Sequence, residues 1–80
     1  MTIREALCGV ANALVAAAVA AGYEVEYERN GDLPANVSAW PPGDRLHRRI
    51  VRFGTPTDMD RLCPGGQAET IRAMVAFLLG

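Results

Sequence analysis

Residues 23–53 read YEVEYERNGDLPANVSAWPPGDRLHRRIVRF, and the periodicity of this stretch decides the fold. Tyr23, Val25 and Tyr27 alternate strictly with Glu24, Glu26 and Glu28. A period of two places these sets on opposite faces of a strand. Arg29-Asn30-Gly31 then reads as a three-residue hairpin loop closed by Gly31 in the left-handed region. That loop pairs Tyr27 with Leu33, Val25 with Ala35 and Tyr23 with Val37. A two-residue Asn30-Gly31 loop would set Tyr27 against Pro34. Because a one-residue slip turns every side chain to the other face, the three-residue loop is preferred. The second strand covers 33–40, with Leu33, Ala35, Val37 and Ala39 facing the helices and Asn36, Ser38 and Trp40 opposite.

Pro41-Pro42-Gly43-Asp44 is a strong turn signal. A third strand over 45–53 follows, and its direction stays open. A four-residue loop puts Leu46, Arg48, Ile50 and Arg52 inward, and Arg45, His47, Arg49, Val51 and Phe53 outward. A five-residue loop or a bulge reverses that assignment. Either register leaves an arginine-rich outer row.

A helix lies on each side of this stretch. Thr2-Ile3-Arg4-Glu5 matches a capping box, in which the Thr2 hydroxyl and the Glu5 carboxylate each accept from the other's backbone N–H. The helix predicted from it runs to about Ala21, and Gly22 is the left-handed stop. Ile3, Leu7, Val10 or Ala11, Leu14, Ala18 and Ala21 form one apolar stripe, and Cys8, Val15 and Val19 a second. Glu5, Gly9, Asn12, Ala16 and Ala20 remain, a narrow and only partly polar strip. Such a helix is either tolerated in water by its alanines or pairs with a second copy, so the chain is expected to be a monomer or a homodimer through 3–21. Residues 54–66 read as a loop with a single helical turn over 57–62. A last helix from about Gln67 to Leu79 has Ile71, Met74, Val75, Leu78 and Leu79 on its apolar face. The expected class is α+β, in the order αβββα: a three-stranded antiparallel sheet with both helices on one face, in a single domain over 1–80.

Composition narrows the function. Eighty residues, half of them hydrophobic, suit one small globular domain. Formal charge is −1, so bulk electrostatics favour no polyanion. All eight basic residues are arginine, a donor suited to carboxylate, phosphate or aromatic partners. Two cysteines, Cys8 and Cys63, make no disulfide framework and are read as free thiols in a reducing cytosol. With one histidine, they make no zinc spacing either. The alanine-rich run after Arg4 imitates a secretory signal, but Glu5, Gly9 and Asn12 interrupt it. No cofactor, no metal, no membrane and no catalytic residue are expected. His47 sits among arginines, and Cys63, although near a helix start, has no base close in sequence. The expected site is instead the open sheet face. It carries Glu24, Glu26 and Glu28 on one flank, Arg45, His47 and Arg49 on the other, and Trp40 between as an aromatic anchor, with Arg48 and Arg52 of the same strand as further candidate contacts.

The αβββα order resembles that of double-stranded-RNA-binding domains, and Gly65-Gly66 occupies the position where those domains hold phosphate. They begin the last helix with a lysine-rich cluster. Here the residues are Gln67, Ala68 and Glu69, leaving Arg72, so no direct nucleic-acid contact is expected. A small nucleic-acid-binding regulator and a phage structural or assembly protein stand as alternatives. Over its full length the chain also resembles the small anti-CRISPR proteins of phages and mobile elements: short, single-domain, catalytically bare, and alanine- and arginine-rich. The resemblance leans to a type I inhibitor, type I-C first. It implies stoichiometric binding to a Cas protein of a type I effector (Cascade) in the bacterial cytoplasm, blocking target DNA recognition.

Overall fold

A computed structural model describes residues 3–53 and 67–80. Its elements are helix α1 (Ile3–Ala20), strands β1 (Glu24–Asn30) and β2 (Leu33–Trp40), a 3₁₀ turn (Arg45–His47), strand β3 (Arg49–Arg52) and helix α2 (Gln67–Leu79). The strands form one antiparallel sheet in the order β1-β2-β3, with β2 central as expected. Helix α1 packs on β1 and β2, α2 packs on β3 and β2, and the helices touch each other, so both cover one face. Thr2 of the capping box and residues 54–66, with their single helical turn and Cys63, lie outside the described residues.

Helix α1 ends where the sequence says it must. Gly22 has φ 80°, its N–H donates to the Val19 carbonyl at 3.0 Å, and the Tyr23 N–H donates to the Ala18 carbonyl at 3.0 Å. This pair of bonds is the Schellman motif, with Tyr23 packing back on the core beside Ala18. The buried stripe is Leu7, Val10, Ala11, Leu14 and Ala18. Ala21, assigned to that stripe from its spacing, is exposed because the helix has already ended. On α2, Met74 and Leu78 are buried, and Ile71, Val75 and Leu79 pack around them. Full burial of one such leucine stabilises by about 1.5–3 kcal/mol.

The hairpin corrects the expected register. β1 and β2 are joined by a two-residue turn, Gly31-Asp32, with Gly31 at φ 64° in the position that a II′ turn reserves for glycine. Tyr27 lies opposite Val37 and Val25 opposite Ala39, rather than Leu33 and Ala35. A two-residue turn alone would set Tyr27 against Asn36 and mix the faces. One irregularity prevents this: Glu28 pairs with Asn36 but Arg29 pairs with Pro34, so Ala35 is the extra residue of a bulge. The bulge restores the face on which Val25, Tyr27, Val37 and Ala39 meet the helices. Leu33, beyond it, is 40% exposed instead of facing the helices.

The third strand is shorter than expected, and the reversed direction holds. Residues 45–47 are a 3₁₀ turn, not strand. Val37 pairs with Val51 and Ala39 with Arg49, so Val51 and Phe53 enter the core. Ile50 and Arg52 share the opposite parity with Ser38 and Asn36. The four-residue-loop alternative, with Leu46, Arg48, Ile50 and Arg52 inward, is therefore excluded; Leu46 is 97% exposed.

Candidate functional site

The sheet face away from the helices is organised by three cross-strand pairs: Glu24 with Trp40, Glu26 with Ser38, and Glu28 with Asn36. Side chains directly opposite on one face are close enough to bond. The Trp40 indole Nε1–H donates to Glu24 Oε2, and Asn36 Nδ2 donates to Glu28 Oε2 at 3.3 Å. Glu26 takes a different donor. Pro42 and Gly43, the latter at φ 78°, occupy the middle of a turn closed by the Asp44 N–H on the Pro41 carbonyl at 2.9 Å. The chain folds back, so Arg45 lies 4.8 Å from the centre of the Trp40 ring. Its Nη2 meets Glu26 Oε2 at 3.3 Å.

Trp40 is consequently buried, at 7% exposed, rather than standing open as an anchor. Ser38 beside it is 2% exposed. A partner on this face meets the clasp of Glu24, Glu26 and Arg45 first. The guanidinium over the ring is a cation–π contact, and its stem shields the indole.

The expected basic row divides. Arg45 joins the open face, and Arg52 lies on it by register, opposite Asn36. Arg49 leaves it. Its Nη1 donates to the Phe77 carbonyl at 3.1 Å, and its guanidinium lies 5.9 Å from the Phe77 ring. Helix α2 has no basic residue in its own last turn, so Arg49 supplies the cation that its carbonyl end favours. His47 Nδ1 lies 2.6 Å from Asp44 Oδ2. With Tyr23, Pro41, Arg49 and the end of α2, these two residues line a shallow cavity of about 280 Å³. The Tyr23 hydroxyl donates to the Leu79 carbonyl at 2.9 Å. Arg48 and Arg52 are exposed and have no ion pair among the described residues.

Sequence reasoning missed two features. It left the direction of Leu46 undecided, because the 3₁₀ turn leaves no alternation to read. It also left Ile50 undecided, although that side chain shares the open face with Arg52. Among the described residues no three His, Cys, Asp or Glu side chains gather as a metal-binding group. Cys8 is half-buried, with its thiol 3.7 Å from the Asp32 carbonyl. No described helix is long and apolar enough to cross a membrane. Comparison with family models, with curated proteins and with solved structures returns no match.

Proposed function

We propose that this chain is a stoichiometric binding protein that inhibits a type I CRISPR effector by occupying it and blocking target DNA recognition. One observation supports a binding role above the rest. Charged side chains are concentrated on one ordered face and the turn beside it, with Glu24, Glu26 and Arg45 fixed around Trp40 and Arg48 and Arg52 free of ion pairs among the described residues. Pre-positioned charges of both signs favour a protein partner with a complementary pattern over a uniform polyanion. The choice of a Cas protein rests on the full-length resemblance to small anti-CRISPR proteins.

The test is co-purification with reconstituted type I effector complexes, type I-C first, followed by target DNA binding. The proposal expects a stable complex and loss of DNA binding at equimolar inhibitor. Failure to bind any such effector removes it. A gel shift with generic duplex DNA and RNA should be negative; a strong shift with a steep salt dependence would instead support a nucleic-acid-binding regulator. Sedimentation across concentration separates a monomer from a homodimer through α1, whose Gly9, Ala16, Val19 and Ala20 are exposed. Higher oligomers would support an assembly protein.

A further inference from the structure

Leu46 contributes nothing to the core, yet the residues on either side of it are held by hydrogen bonds. At 97% exposed it stands well beyond the next large apolar side chain among the described residues, Val19 at 60%. A lone exposed leucine is ordinary on a protein surface. This one is presented by an ordered turn. The His47 N–H donates to the Asp44 carbonyl at 3.2 Å and the Arg48 N–H to the Arg45 carbonyl at 3.1 Å. Arg45, just before it, is clamped on Trp40 and Glu26, and His47, just after it, on Asp44. The turn is therefore ordered before any partner arrives, which removes much of the entropic cost of docking.

The flanking charges give the chemistry of the partner. Arg48 is exposed and lacks an ion pair among the described residues, and the Arg45 side chain keeps 64% of its surface exposed while bridging to Glu26. We infer that Leu46 is a docking knob that enters an apolar pocket on a protein partner, with carboxylates on the pocket's rim to meet Arg48 and Arg45. A uniformly anionic lipid surface fits less well, because Asp44 in the turn and Glu26 on β1 lie beside Arg45 and repel such a surface, whereas carboxylates at discrete points on a protein rim can meet Arg48 and avoid them. The inference rests on the reading of the chain as a binding protein but not on the identity of the effector.

The experiment uses the intact chain in two arms. In the first, a random dodecamer display library is selected on the wild-type protein, and the winning sequence is synthesised. The expected peptide combines acidic and large apolar residues and perturbs the amide resonances of residues 44–49. It should lose about tenfold or more in affinity for Leu46→Asp. Arg48→Glu should weaken it and flatten its salt dependence. Leu46→Asp should keep the wild-type melting temperature, because the side chain is almost wholly in solvent. No enrichment, perturbation confined to other residues, equal affinity for Leu46→Asp, or binding to anionic vesicles in place of peptide overturns the inference. In the second arm, wild type and Leu46→Asp are mixed with purified type I effector. Loss of binding by the variant alone upholds both readings. Equal binding overturns the knob and leaves the inhibitor standing. If wild type does not bind, the inhibitor reading falls and the peptide arm alone decides the knob.

Discussion

The two faces of the sheet bury their side chains by different means. On the helix side, Val37, Ala39, Val51 and Phe53 lie against Leu14, Val10, Met74 and Leu78, and the contact is almost wholly apolar. On the other side Trp40 and Ser38 are buried as thoroughly, yet Trp40 is covered by Arg45 and held by Glu24. The first arrangement is non-directional and scales with area. The second depends on a few charged groups at the surface, each contributing modestly. Stability should therefore reside on the helix side, while the clasp fixes geometry and leaves charge accessible.

Leu14→Ala attacks the helix side, where Leu14 is completely buried, and should cost about 2–5 kcal/mol in chemical denaturation. A loss below about 1 kcal/mol would mean that the helix layer is not the seat of stability. Trp40→Phe keeps most of the ring but removes the donor to Glu24. It should cost about 1–2 kcal/mol, and an unchanged denaturation midpoint would show that the indole bond is idle. Arg45→Ala lifts the cover from the open side. The expected loss is about 0.5–1 kcal/mol, with a red shift in the emission of Trp40, the single tryptophan of the chain. Unshifted emission would show that Arg45 does not shield the ring. The smallest effect belongs to Arg49→Ala, about 0.3–1 kcal/mol from the end of α2, with tryptophan emission unchanged. If Arg45→Ala and Arg49→Ala both shift the emission equally, the division of the arginines between the faces is wrong.

How much of this was legible in the sequence differs along the chain. Helical spacing identified Leu7, Leu14, Ala18, Met74 and Leu78, because apolar periodicity and burial have one cause. Strict alternation in β1 separated Val25 and Tyr27 from the glutamates. The pairing was misplaced all the same, because a bulge leaves no mark in composition and Ala35 looks like any strand residue. The third strand was illegible for another reason. Direction depends on counting residues from the Pro41 turn, and the 3₁₀ turn over Arg45–His47 consumes residues without alternating them. Trp40 was assigned to the correct face, but alternation says nothing of what lies above a side chain. Arg45 covers it only because the turn at Gly43 folds the chain back.

The bulge at Ala35 also constrains how the hairpin can change its length. The turn sets Arg29 opposite Pro34, and the extra residue lets Asn36 rather than Ala35 take the next place, opposite Glu28. A chain that lost Ala35 alone would keep Glu28 opposite Asn36 and Tyr27 opposite Val37, so the same side chains would meet the helices in a hairpin without a bulge. The hairpin can thus lose one residue at the bulge, whereas a single residue lost between Asn36 and Ala39 would turn part of β2's core row outward.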